Sequence, residues 1–98
     1  MSVLVTLDLQ INPEKQDEFL KMVKEKVIQG TRAYDGCELF DIYTDQDKPG
    51  HVLFHEVWET RAKQEKYFAW RQETGVVDKL AAYFSDPPVI TYYDQFDA

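Results

Sequence analysis

The chain holds a single cysteine, Cys37. An internal disulfide framework is therefore excluded, as is a zinc centre built on several thiolates. Basic residues are scarce, 11 Lys+Arg against 18 Asp+Glu, for a net charge of −7. Such a surface repels a phosphate backbone on average. The one stretch rich in bases, RAKQEK (61–66), mixes signs and reads as a solvated helix face. No apolar run is long enough to span a membrane. The opening MSVLVTLDLQ has no basic start followed by an apolar run, so no signal peptide is expected. A reducing cytoplasm is the compartment expected of a chain with a lone thiol. A glycine-rich phosphate loop, a Ser/His/Asp order and paired helix carboxylates at metal spacing are absent as well.

What is present indicates one folded domain over residues 1–98. Apolar residues make up 44% of the chain and aromatics 14%, too many for a disordered segment. A chain of this length buries only about two-thirds of its unfolded surface, so its core is modest and a partner subunit would add to it. Residues 3–11 alternate, with Val3, Val5, Leu7, Leu9 and Ile11 on one side, and predict a strand with one strongly apolar face. Asn12-Pro13-Glu14 then supplies an N-cap, a proline suited to the first helical position and an acid at the positive helix end. A helix is predicted over 13–33, burying Phe19, Leu20, Val23, Val27 and Thr31, with Gly30 weakening its last turns. Asp35-Gly36 signals a turn and residues 37–44 a second strand; the polar run 45–50 reads as a hairpin loop and 51–59 as a third strand. A second helix follows Thr60. Glu73-Thr74-Gly75 interrupts it, with Thr74 able to cap a further piece through Phe84, and residues 89–96 alternate as a last strand.

The order β-α-β-β-α-β carries a faint repeat: KQDEFL (15–20) opens the first helix and KQEKYF (63–68) the second, half a chain later. A doubled βαβ with an antiparallel sheet is the ferredoxin-like arrangement, an α+β fold with helices on one sheet face. Here both faces are apolar. Phe40, Ile42, Phe54, Trp58, Ile90 and Tyr92 compete for cover with Leu39, Tyr43, Leu53, Val57, Val89 and Tyr93. One helix pair cannot bury both sets. A homodimer joined through the uncovered sheet face, forming an α+β barrel, is the expected solution.

Three features resemble the antibiotic biosynthesis monooxygenase family of dimeric α+β barrels, which includes quinol monooxygenases. They are the apolar first strand with its Pro13-opened helix leading to Phe19, the Asp35-Gly36-Cys37 turn before the second strand, and Glu56-x-Trp58-Glu59 closing the third. The resemblance spans nearly the whole chain. This sequence also departs from its relatives. Many members carry a histidine nine residues after that tryptophan, where this chain has Tyr67; some oxidisers of polycyclic phenols carry an asparagine where it has Phe54. Haem-degrading relatives use a helix histidine as iron ligand, and this second helix has none.

The candidate site residues follow. Trp58 is either a core filler or a ring that stacks on a flat substrate, or both. Tyr67 and Trp70 share a helix face; Tyr67 adds a hydroxyl that must find a partner when buried and could bond a substrate oxygen. His55 lies on the strand face opposite Phe54 and Trp58, and suits a general base or a hydrogen-bonded interface. His51 is too far along the strand, about 13 Å, to share a metal with it, so no metal site is expected. Glu56 shares the face of Phe54 and Trp58, and is either an acid–base group or half of a salt bridge with Arg71 or Arg32. Arg71 through Gly75 forms either a pocket lip or a helix kink. Cys37 reads as buried and inert.

The activity the resemblance implies is oxygenation of a small aromatic or quinol-like substrate without metal, flavin or haem. Trp58, Trp70, Phe54 and Arg71 would bind, Tyr67 would bond the substrate oxygen, and His55 or Glu56 would take the proton. Two rivals stand beside it: a non-catalytic dimeric barrel that binds a small ligand or serves in stress or assembly, and an isomerase that moves a proton on a small keto compound.

Overall fold

The computed structural model describes residues 2–97. Four strands, β1 (Val3–Gln10), β2 (Cys37–Thr44), β3 (His51–Trp58) and β4 (Val89–Tyr93), form one sheet in the order β2-β3-β1-β4. Every pairing is antiparallel. The helices are α1 (Gln16–Lys26), α2 (Ile28–Arg32), α3 (Arg61–Glu73) and α4 (Val76–Ala81). This is the α+β, ferredoxin-like order that the hydropathy pattern predicts.

Register decides which side chains meet. Val5 lies opposite Glu56, Leu7 opposite Phe54 and Leu9 opposite Val52, while Phe40 pairs with Glu56 and Ile42 with Phe54. Because a strand alternates, these residues share the face under the helices. There Phe19, Val23 and Val27 pack on Leu9, Phe40, Val52 and Phe54 in one core cluster; Val3, Val5, Trp58 and Tyr67 form a second. A bulge at Glu38 lets Cys37 join the helix side. The rival apolar set separates onto the other face as expected, and Leu39, Tyr43, Val89 and Tyr93 are exposed there.

Local chemistry explains the ends. Asn12 Oδ1 accepts from the Glu14 N–H at 3.1 Å and Thr60 Oγ1 from the Lys63 N–H at 3.1 Å, capping both helical segments. In the β2–β3 hairpin, Asp45 Oδ1 accepts from the amides of Asp47 and Lys48. Gly50 ends that loop at φ +90°, where a Cβ would sit 2.3 Å from the Ile11 carbonyl oxygen; only glycine fits. On the open face, His51 bridges Asp45 (2.8 Å) and Asp8 (3.0 Å).

The expected first helix, 13–33, is instead a 3₁₀ turn (Pro13–Lys15), α1 and α2, with Val27 between the last two. The ladder does not stop there: Val27 N–H reaches Val23 O and Thr31 N–H reaches Val27 O. The bend has a visible cause. Val27 O also accepts from Thr31 Oγ1 (3.0 Å) and from the Arg71 guanidinium (2.9 Å). A side chain inserted at a helical carbonyl and a back-bonding threonine both bend helices. Thr74 does not cap α4. Its hydroxyl donates to Arg71 O at the end of α3, and Gly75, in the left-handed region at φ +81°, starts α4. The last strand stops at Tyr93, short of the expected 96.

Candidate active site

Residues 64, 67 and 71 fall on one stripe of α3, because positions three and four apart share a helical face. That stripe faces β3, and a small apolar cavity of about 40 Å³ lies between them. Phe40, Phe54 and Leu7 of the sheet, and Val76, Val77 and Leu80 of α4, supply its apolar wall. Glu56, Gln64, Tyr67 and Arg71 are its polar members. Wider depressions beside Arg32 and Cys37, about 250 Å³, and beside His55 and Tyr93, about 330 Å³, are shallow and open to solvent. The less open space bears Glu56, the carboxyl that burial shifts furthest, so it is the candidate site.

Glu56 is 3% exposed. Burial pushes its carboxyl from 4.5 up to about 7, against the Trp58 indole N–H, which donates to Oε1 at 2.7 Å and favours the ionised form. No salt bridge forms: Arg71 and Arg32, the expected partners, bond elsewhere. Arg32 reaches Phe40 O and Asp41. The other Glu56 oxygen has no partner yet is not sealed, since among the described residues His55 Nδ1 is the fully buried side-chain polar atom left unpaired. A carboxyl that is half ionised near neutrality and open to an apolar cavity can accept and return a proton.

Tyr67 is held differently from expectation. Its hydroxyl meets Thr31 Oγ1 at 2.5 Å and accepts from Arg71 Nε at 3.0 Å. Both contacts engage the hydroxyl, and Thr31 Oγ1 donates in turn to Val27 O. Burial pushes the phenol up, outweighing the two hydrogen bonds. Tyr67 therefore anchors Arg71.

Of the other sequence candidates, Phe54 lies on the cavity wall. Trp58 is completely buried behind it, tilted against Tyr67 at 5.0 Å and edge-to-face with Tyr34 at 6.4 Å; its indole N–H donates to Glu56, and it does not line the cavity. Trp70 packs on Tyr34 and on the Arg71 guanidinium, 4.5 Å from its ring, away from the cavity. His55 is on the opposite sheet face, opposite Thr6 and Asp41. Cys37 is half-buried, and burial with the nearby Glu56 charge raises its thiol, as an inert cysteine requires.

Gln64 is the polar group that sequence reading missed. It sits in RAKQEK, read as solvated, yet it is 1% exposed and its Oε1 accepts from Tyr92 O–H at 2.6 Å. The signal was present: Gln64 precedes Tyr67 by three and Arg71 by seven, in helical phase with buried residues. Among the described residues no three His, Cys, Asp or Glu side chains group as metal ligands, and no helix is long and apolar enough to cross a membrane.

Fold and site together define a ferredoxin-like α+β protein with a desolvated carboxyl between sheet and helix. The chain belongs to the antibiotic biosynthesis monooxygenase family, whose profile matches residues 2–78. Its structure is similar to that of a conserved protein from Methanosarcina mazei Go1 (20% identity, TM-score 0.87, 97% of this chain and 93% of that one). It is also similar to Rv0793 from Mycobacterium tuberculosis (20% identity, TM-score 0.83, 100% and 98%). A solved antibiotic biosynthesis monooxygenase is 28% identical with TM-score 0.81 over 97% and 98% of the two chains. Comparison with curated proteins gives no significant sequence match.

Proposed function

We propose that this protein is a cofactor-independent monooxygenase of small quinol-like aromatics, with Glu56 as its base. The observation that carries this reading is the Glu56 carboxyl, buried on the wall of an apolar cavity and raised to about 7. The Glu56 carboxylate takes the proton of a quinol hydroxyl. The electron-rich quinolate then gives one electron to O₂, and the radical pair combines at a ring C–H carbon, forming a C–O bond. Glu56 returns its proton to the peroxide; loss of the ring C–H proton then breaks the O–O bond, the departing hydroxide takes that proton and leaves as water, and the other oxygen stays on the ring as a carbonyl. A quinol and O₂ thus become a hydroxyquinone and water. Phe54 and Phe40 flank the ring, Trp58 orients Glu56, and exclusion of water protects the radical pair. Trp70 acts by packing on Arg71, and Tyr67 by holding it. The test is oxygen uptake with hydroquinone, which should rise well above the rate without protein.

The cavity volume favours a second reading. At about 40 Å³ it is far smaller than the several hundred Å³ of a usual ligand site. A ring enters only if α4, whose Val76, Val77 and Leu80 form the outer wall, moves aside. A chain in which α4 stays shut would be a non-catalytic barrel serving in stress or assembly, and one that opens without oxygen chemistry would bind a small ligand or only move a proton on a small keto compound. Oxygen uptake at background would select these.

The whole chain acts as one domain and, we propose, as a homodimer through the open sheet face, in the reducing compartment where Cys37 stays a thiol. The exposed Leu39, Tyr43, Val89 and Tyr93 support the pairing. Light scattering at micromolar concentration should give the mass of two chains. The mass of one chain would end the barrel dimer.

A further inference from the structure

Arg71 is 6% exposed, and an arginine keeps its charge in a protein. Its acceptors are all neutral: Tyr67 O–H, Val27 O and Thr31 Oγ1. Among the described residues no Asp or Glu lies within ion-pair distance of it, although the chain carries 18 of them. A buried charge is normally paired, because removal from water is otherwise uncompensated. Nη1 has no protein partner and is not sealed from its surroundings.

The fold also accommodates this cation deliberately. Gly30 weakens α2, yet a Cβ there would lie 2.9 Å from Arg71 Nη2. The glycine makes room for the guanidinium. Trp70 and Tyr67 place their rings 4.5 and 5.3 Å from it. Helix, glycine and two aromatics thus hold a cation at the wall of a cavity whose one carboxyl, Glu56, makes no ion pair with it and is held partly neutral by burial.

We propose that, once α4 moves aside to enlarge the space, the occupant of this cavity is a planar aromatic anion whose carboxylate pairs with Arg71, its ring lying against Phe54 and Phe40. The proposal rests on the cavity being the substrate site and narrows the quinol class to quinols that carry an acid group. Glu56 and Arg71 would then divide the substrate between them, one facing a hydroxyl and the other the acid.

Binding by calorimetry under nitrogen tests this without any oxygen chemistry. The probes are gentisate, which is a hydroquinone bearing a carboxylate, its methyl ester, and hydroquinone itself. A charge-assisted pair predicts that gentisate binds at least about tenfold tighter than either neutral probe. Arg71→Met should abolish that preference, and Arg71→Lys, which keeps the charge without the planar fork, should retain part of it. Equal binding of acid and ester by the wild-type protein, binding by neither, or a preference that survives Arg71→Met would overturn the proposal. If Arg71→Met fails to fold, the wild-type comparison and Arg71→Lys still decide. Background oxygen uptake alongside tight gentisate binding would remove the oxygenase reading and leave the anion site; the reverse pattern would do the opposite.

Discussion

Glu56→Gln will slow oxygen uptake by about 10²–10⁴-fold, the usual contribution of a positioned base. The same substitution will change how stability depends on pH, and the sign is determined. The native carboxyl titrates near 7 and the unfolded one near 4.5, so between those values the native state holds a proton that the unfolded state has released. Stability therefore declines as pH rises through that window, by about 3 kcal/mol at most. Glutamine keeps an oxygen for the Trp58 N–H and never ionises. Glu56→Gln should match the wild type near pH 4.5 and exceed it above pH 7. Urea titrations across this range provide the measurement. A second group moves the same way: the bonds from Asp45 and Asp8 raise His51, so its contribution also fades as pH climbs past the ordinary histidine range. Some decline should persist in Glu56→Gln for that reason. Parallel curves for variant and wild type would mean that the carboxyl is not held neutral, and full activity in the variant would remove it as the base.

Trp58→Ala should cost about 3–5 kcal/mol, the range for emptying a fully buried large aromatic site. The indole has no exposed surface and packs on Tyr34 and Tyr67, so its neighbours cannot close the gap by moving one side chain. Trp58→Phe separates packing from chemistry. Phenylalanine refills most of the volume, and the smaller loss of stability reports the remainder. It also removes the one hydrogen bond that lowers the Glu56 value, leaving burial unopposed. The midpoint of the pH–rate profile should move up from about 7 in Trp58→Phe. An unmoved midpoint would show that the indole N–H does not tune the carboxyl.

Much of this architecture is legible in the linear pattern. Alternation along 51–58 already places Phe54, Glu56 and Trp58 on one face and His55 on the other, and the register preserves that division. Helical phase likewise joins Tyr67 to Arg71. Linear pattern carries no such information where a residue's neighbours are distant in sequence. Gln64 looked solvated because its own helix is polar there, while its partner is Tyr92 on the last strand. The Tyr67 hydroxyl meets Thr31, which comes from another helix. Arg71 looked like a partner for Glu56, a pairing of opposite charges that composition suggests and packing does not make.

The sequence by itself determined the order of elements, the two apolar sheet faces and the side on which each strand residue lies, because these follow from periods of two and of about 3.6 residues that any short window contains. Tertiary structure alone decided which carboxyl loses its water and which arginine goes without a counter-ion. Desolvation and hydrogen-bond partners at Glu56 and Arg71 arise where α3 closes over the sheet, bringing together groups such as Val27 and Arg71 from opposite halves of the chain.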